Sequence, residues 1–254
     1  MRVININEQI ELIVEFIKRQ LTSAGFSKLI VGLSGGIDSA VTTALCVKAV
    51  GKENVFTVML PYRISHPDSL NHAIEFAEIL DIKHEIIDIS PMVDSYFEKY
   101  AADADILRRG NRMARERMCV LYDLSAKYKA LVAGTGNLSE LMIGYCTQYG
   151  DSACAFEPLG HLYKTEVREM AKLLGVPKSI ITKDPTADLW ENQTDEDELG
   201  ITYEKLDEIL YNLYELNIDK REITDFSDEE VEKTIKMFKN SEFKRRMPPI
   251  PGMN

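Results

Sequence analysis

Residues 33–39 read Leu33-Ser34-Gly35-Gly36-Ile37-Asp38-Ser39, directly after an apolar run and at the opening of a helix-patterned segment. Gly35 and Gly36 allow close backbone approach and positive φ, Ser34 and Ser39 bring hydroxyl donors, and a helix start offers free N–H groups and the positive end of its dipole. Such a place suits phosphate. Asp38 sets a carboxylate among those phosphates, which is favourable chiefly when a cation lies between them. The plainer alternative is a glycine-rich turn with Ser34 as N-cap. The length of the string and its strand, loop and helix setting favour phosphate instead. The string lacks the lysine of a Walker loop and the third glycine of GxGxxG.

Other residue types point the same way more weakly. Arg108, Arg112 and Arg115 fall at i, i+4 and i+7, so one helical face can present guanidinium forks to a substrate's phosphates. Arg109 and Arg117 read as an ordinary solvated basic face. Glu140 reads by itself as a first-turn helix acid answering the dipole, Lys164 as an exposed lysine, and Thr186 as an ST-turn after Pro185. Trp190 covers an adenine or simply closes a loop.

The elements that must position these residues follow from periodicity. Apolar helical stripes alternate with short β-branched runs, the pattern of helices packed on a parallel sheet. Helices are expected at about 8–24, with Ile10, Ile13, Val14 and Ile17 on one face, and at 37–50, 67–80, 107–128, 203–216 and 228–240. Strands are expected at 28–33, 55–60, 84–89 and 130–133. The fold class is therefore α/β, a doubly wound, mostly parallel sheet flanked by helices, with a helical C-terminal segment. Residues 146–162 and 182–200 read as long loops, a length that is usually functional or disordered. The tail MPPIPGMN reads as extended.

Composition narrows the function classes. The 254 residues are 45% hydrophobic and 28% charged, enough for one sizeable core. No apolar run approaches the roughly 20 residues of a membrane span, and acidic residues occupy the place of a signal peptide's apolar centre. Cys46, Cys119, Cys146 and Cys154 form no CxxC pair, which fits reduced thiols in a cytoplasm. Thirty basic against 41 acidic residues, a net charge of −11, speaks against a general nucleic-acid binder. The charge is uneven, with 18 acidic and 3 basic residues between Asp184 and Glu232, so the remainder is mildly positive and suited to a small polyanion.

The SGGIDS string resembles the pyrophosphate-binding SGGxDS loop of the N-type ATP pyrophosphatases, which adenylate a carboxylate or carbonyl and release pyrophosphate. That loop alone leaves open asparagine synthetase, GMP synthetase, argininosuccinate synthetase, and tRNA-modifying thiolases and lysidine synthetases. Downstream stand GNRMARERM (110–118), GTGNLSE (134–140), YGD (149–151), KTEV (164–167), PTADLW (185–190) and DEDELG (195–200), in that order. With SGGIDS they resemble the NAD synthetase family over nearly the whole chain. The combination of GTGNxSE, KTxV and PTADLW separates it from the other members.

The resemblance implies adenylation of the nicotinate carboxylate of deamido-NAD by ATP, then attack of ammonia on the acyl-adenylate. It assigns Gly32, Leu33, Ser34, Gly35, Gly36, Ile37, Asp38, Ser39, Thr135, Lys164 and Thr186 to ATP, with Asp38 and Lys164 catalytic. Asp38 and Glu140 are assigned to Mg²⁺, and Arg115, Asp151 and Lys244 to deamido-NAD. It also implies the ammonia-dependent form, with one synthetase domain over 1–254 and no glutaminase domain, and a homodimer, for which the apolar face of the first helix (Ile10, Ile13, Ile17, Leu21) is the expected contact. Gln148 stands where the family often has Lys, Ala155 where Asp often follows YGD, and Phe243 where His is usual. The competing readings are a tRNA-modifying ATP pyrophosphatase, which should bring a basic extension or catalytic cysteines, and a nucleotide-binding regulator without turnover.

Overall fold

The computed structural model describes residues 2–190 and 193–252. The final two residues of the expected extended tail, and positions 191 and 192 of the second long loop, lie outside the described residues.

Leu29, Ile30 and Val31 are fully buried because β1 (Lys28–Gly32) runs through the middle of a four-stranded parallel sheet. Its neighbours are β2 (Val55–Met59) and β4 (Ala130–Val132), and β3 (Lys83–Ile86) pairs outside β2, giving the order β3-β2-β1-β4. Registers such as Ile30 opposite both Phe56 and Val132 are parallel throughout. Strand order turns back at β1, so a crevice opens beyond the C-terminal ends of β1 and β4, the usual ligand position in open α/β sheets.

Helices cover both faces. On one lie α1 (Ile6–Ala24), α2 (Ile37–Val50), α3 (Pro67–Ile79), α7 (Lys164–Leu173) and the short α8 (Lys178–Ile181). On the other lie α4 (Ser90–Tyr100) and α5 (Ile106–Tyr128). A third cluster joins α6 (Leu138–Ile143), α10 (Tyr203–Leu210) and α11 (Asp228–Asn240), with α9 (Asp195–Leu199) against it through Leu199. Local chemistry sets the ends: the Asn5 side chain caps α1, Gly25 closes it at φ 73°, and Ser227 with Glu230 forms a capping box on α11.

Several expectations need correction. The strand expected at 84–89 is shorter and half-exposed because it is a sheet edge, with only Ile87 and Ile89 continuing the pairing through their N–H groups. Helix α4 is not among the helices expected from periodicity, since Pro91 and two tyrosines obscure its stripe. The segment 182–200 is not all loop, for it ends in α9. The helix from Tyr203 ends its α-turns at Leu210 and continues as a π-turn through Glu215. The apolar face of α1 is also spent inside the chain, where Ile10, Ile13, Ile17 and Leu21 pack in the core shared with α2 and α7. That face is not available to a second subunit.

The four cysteines are free thiols. No helix among the described residues is long and apolar enough to cross a membrane.

Candidate active site

The crevice is a cleft of about 620 Å³. The loop after β1 forms its floor: Gly32, Leu33, Ser34, Gly36, Ile37, Asp38 and Ser39 all line it. The serines hold the loop's shape, because Ser34 Oγ accepts the Gly36 N–H at 3.2 Å and Ser39 Oγ donates to Gly36 O at 2.9 Å. Gly36 itself is the N-cap of α2, in place of Ser34, and its φ of −89° corrects the expected positive value. Gly35 does require glycine, with φ 80° and a backbone so close to α3 that a Cβ would lie 2.0 Å from Ser69 O. It faces α3 and does not line the cleft.

At the mouth of this loop three titratable side chains from separate elements converge. Lys164, the first residue of α7, is 2% exposed. Its Nζ lies 2.5 Å from Asp38 Oδ2 and 3.2 Å from Glu140 Oε1. Asn137 Nδ2 donates to the other Asp38 oxygen at 2.9 Å. Burial pulls the Lys164 pKa down, but Asp38, Glu140 and Asp195 outweigh it and hold the ammonium protonated. Burial first, and then Asp38 and Asp195, raise Glu140 above the usual carboxylate range, with Lys164 opposing. Asp195 and the Tyr203 hydroxyl that donates to it at 3.2 Å complete the wall beneath Lys164, whose Nζ sits 5.1 Å from the centre of the Tyr203 ring.

Thr135 lines the cleft after β4, and Thr186 lines it from the opposite rim while its Oγ1 accepts the Asp188 N–H at 3.0 Å, so the ST-turn is present as well. That rim segment reaches across the cleft. Asp188 accepts the His66 N–H, and Leu189 and Trp190 rest on Gly110 of α5, where a Cβ would meet Leu189 at 3.2 Å. Both long loops of the sequence therefore border the cleft. Asp151 and Lys244 also line it. Lys244 Nζ is held by the carbonyls of Gly144 and Cys146, each at 2.7 Å, and Asp151 accepts the Thr147 N–H at 2.9 Å.

The arginines fall out differently. Arg115 is exposed and outside the lining, with its Nε 3.3 Å from Gln148 O, and Arg112 pairs with Glu116 over the Tyr96 ring. The face of α5 that meets the cleft carries Leu107, Gly110, Asn111, Ala114, Arg117 and Met118. Arg117, read from sequence as solvated, sits there with its Nε on Leu60 O at 3.0 Å, and burial lowers its pKa. The signal was available: Arg117 shares a helical stripe with Gly110, Ala114, Met118 and Leu121, all facing inward.

Among the described residues no group of three or more His, Cys, Asp or Glu side chains is arranged to hold a metal by itself. Two carboxylates already sharing one cation do suit a hard ion that takes its remaining ligands from phosphates and water. Asp38 and Glu140 are such a pair.

A family model described as NAD synthase matches residues 9–248. The chain is 47% identical over 249 residues to an NH(3)-dependent NAD(+) synthetase of Fusobacterium nucleatum, covering 97% of this chain and 96% of that protein. Among solved structures it resembles an NMN synthetase from Francisella tularensis, with a TM-score of 0.89, 32% identity and coverage of 99% and 100% of the two chains. It also resembles an NH3-dependent NAD synthetase from Campylobacter jejuni, with a TM-score of 0.84, 33% identity and coverage of 98% and 99%.

Proposed function

Since this chain belongs to the NAD synthase family, we propose that it amidates deamido-NAD with ammonia at the expense of ATP, giving NAD, AMP and pyrophosphate. The observation that carries the chemistry is the Asp38, Lys164 and Glu140 cluster at the mouth of a glycine loop that can take phosphates. The first step joins the nicotinate carboxylate oxygen to the α-phosphorus and breaks the bond to pyrophosphate. The second puts ammonia on the acyl carbon and expels AMP, with a proton lost to solvent or a site carboxylate.

The chain's own contributions are positioning and charge. Backbone N–H groups of 34–39 and the α2 N-terminus receive the terminal phosphates. Lys164 is a buried, protonated donor within reach of the leaving pyrophosphate. Asp38 and Glu140 are the residues that would hold Mg²⁺, which supplies charge neutralisation on the triphosphate. Thr135 and Thr186 offer hydroxyls to ATP from opposite rims, and Asp151 and Lys244 offer a charged pair to the acid substrate. Arg115 keeps a place on that side only if it moves inward. The relatives' names support free ammonia as the nitrogen source; a single synthetase domain and a cytoplasmic location are part of the same proposal. A homodimer remains part of the proposal, but its contact moves to the exposed Tyr96, Tyr100, Ile106 and Leu107 around α4 and α5.

A second reading has a specific basis. The likeness to an NMN synthetase, with Gln148, Ala155 and Phe243 at dinucleotide positions, favours trying the mononucleotide acid as a substrate. Amide formation from each acid, with ATP and ammonium present, decides between the two, and glutamine in place of ammonium tests the nitrogen source.

A further inference from the structure

Lys183 belongs to none of the assigned groups. It lies just ahead of the rim segment 185–190, lines the cleft, and donates from Nζ to Ser69 Oγ at 2.7 Å. Ser69 is buried in the first turn of α3, and its own carbonyl is the group that presses on Gly35. The Lys183 ammonium is thus one residue away from the back of the glycine loop. Burial lowers its pKa, opposed at longer range by Asp188 and Asp68, and among the described residues it makes no ion pair within 4 Å. Lys164 differs in this respect, because two carboxyl groups, Asp38 and Glu140, already contact its Nζ.

A half-buried ammonium bonded to one neutral hydroxyl, with its nearest carboxylates beyond contact, has lost hydration without a counter-charge in contact, so an anion nearby would stabilise it strongly. The glycine loop is built to bring that anion.

We propose that Lys183 is a phosphate-binding residue, exchanging Ser69 Oγ for the terminal phosphates of ATP as the glycine loop receives them. This rests on the reading of the cleft as an ATP site. It gives the rim segment a direct tie to the nucleotide: the same stretch that offers Thr186 is drawn down at its start by Lys183. The competing role is a clasp, in which Lys183 and Ser69 only fasten the segment to α3.

Calorimetric binding of ATP, inorganic pyrophosphate and AMP to the wild type, Lys183→Met, Lys183→Arg and Ser69→Ala separates these roles. The expected result is a tenfold to hundredfold weaker affinity of Lys183→Met for pyrophosphate and ATP with AMP unchanged, and partial retention in Lys183→Arg. Ser69→Ala, which removes the clasp and keeps the ammonium, should bind pyrophosphate within about twofold of the wild type. Wild-type pyrophosphate affinity in Lys183→Met, with an equal fall in melting temperature for Lys183→Met and Ser69→Ala, would overturn the proposal and leave the clasp. A wild type that binds neither ATP nor pyrophosphate overturns the ATP reading and this inference together. A wild type that binds both while Lys183→Met is unaffected overturns only the inference.

Discussion

Glu140 and Lys164 meet through one carboxylate oxygen only: Oε1 faces Nζ at 3.2 Å, while Oε2 accepts the Asn137 N–H at 3.3 Å and closes the capping box of α6. The helix-cap reading and the metal-ligand reading of Glu140 are therefore compatible. They predict different losses for different substitutions. Glu140→Gln keeps the cap, so it should melt higher than Glu140→Ala, which loses about 0.5–2 kcal/mol more with the cap. Both, like Asp38→Ala, should cut turnover strongly and raise the Mg²⁺ requirement. Near-wild-type turnover of Asp38→Ala and Glu140→Gln at limiting Mg²⁺ would remove the two carboxylates from the metal site.

Lys164→Ala leaves Asp38 and Glu140 facing each other without a cation. Breaking such a buried group of charges costs up to about 3–5 kcal/mol. Added Mg²⁺ should restore part of that stability and raise the melting temperature more in the variant than in the wild type. Its kcat should fall roughly tenfold to a hundredfold, at about 1.4 kcal/mol per decade, with a smaller change in ATP affinity. A large loss of ATP affinity with an unchanged single-turnover rate of AMP release would make Lys164 a ground-state clamp.

Gly35→Ala tests the fit between the glycine loop and α3. A Cβ at 2.0 Å from Ser69 O cannot be accommodated without backbone movement, and φ 80° adds about 1–3 kcal/mol of strain. The variant should lose both thermal stability and ATP binding. Gly36→Ala, at φ −89° and with its nearest contact Ser34 Oγ at 3.3 Å, should be much milder. Equal effects at the two positions would contradict the loop geometry.

Glu157 lies beside the cleft in a recess of about 50 Å³, accepting the Gly136 N–H at 3.0 Å and the Cys154 thiol at 3.2 Å. Burial pushes its pKa up from 4.5 to about 7. The folded protein then binds the proton more tightly than the unfolded chain, so this residue's contribution falls as pH rises from about 4.5 to about 7. The loss is at most about 3 kcal/mol. Glu157→Gln should flatten the dependence of melting temperature on pH across that window. An unchanged slope would show that another group sets it.

What could be read from the sequence was what depends on local pattern. Leu29 to Val31 gave a buried strand because a central parallel strand is apolar on both faces, and SGGIDS gave its loop because the spacing fixes the chemistry. The burial of Arg117 and the exposure of Arg115 are not legible in the charge pattern for a different reason. A charge stripe at i, i+4 and i+7 says which residues share a face but not whether that face meets solvent, and only the inward stripe of Gly110, Ala114 and Met118 settles it. The burial of the α1 face is equally invisible locally, since α7 lies about 140 residues away in the chain and nothing local announces that it covers Ile13 and Ile17. The linkage of Lys164 to Asp38 spans 126 residues and is a property of topology alone.

The dimer contact proposed for α4 and α5 is open to a simple check. Tyr100 is 67% exposed and Leu107 59%. Tyr100→Glu together with Leu107→Glu should convert a dimer to a monomer in sedimentation at micromolar concentration. A wild type that is monomeric and fully active there refutes the dimer, and a dimer unaffected by both changes places its interface elsewhere.

The most direct measurement is the yield of amide and AMP when the protein is incubated with ATP, Mg²⁺, ammonium and deamido-NAD. The account predicts NAD and AMP in equal amounts, pyrophosphate as the other product, and no AMP when the acid substrate is omitted. ATP bound with no AMP released under any of these conditions would contradict it and leave a nucleotide-binding protein without turnover.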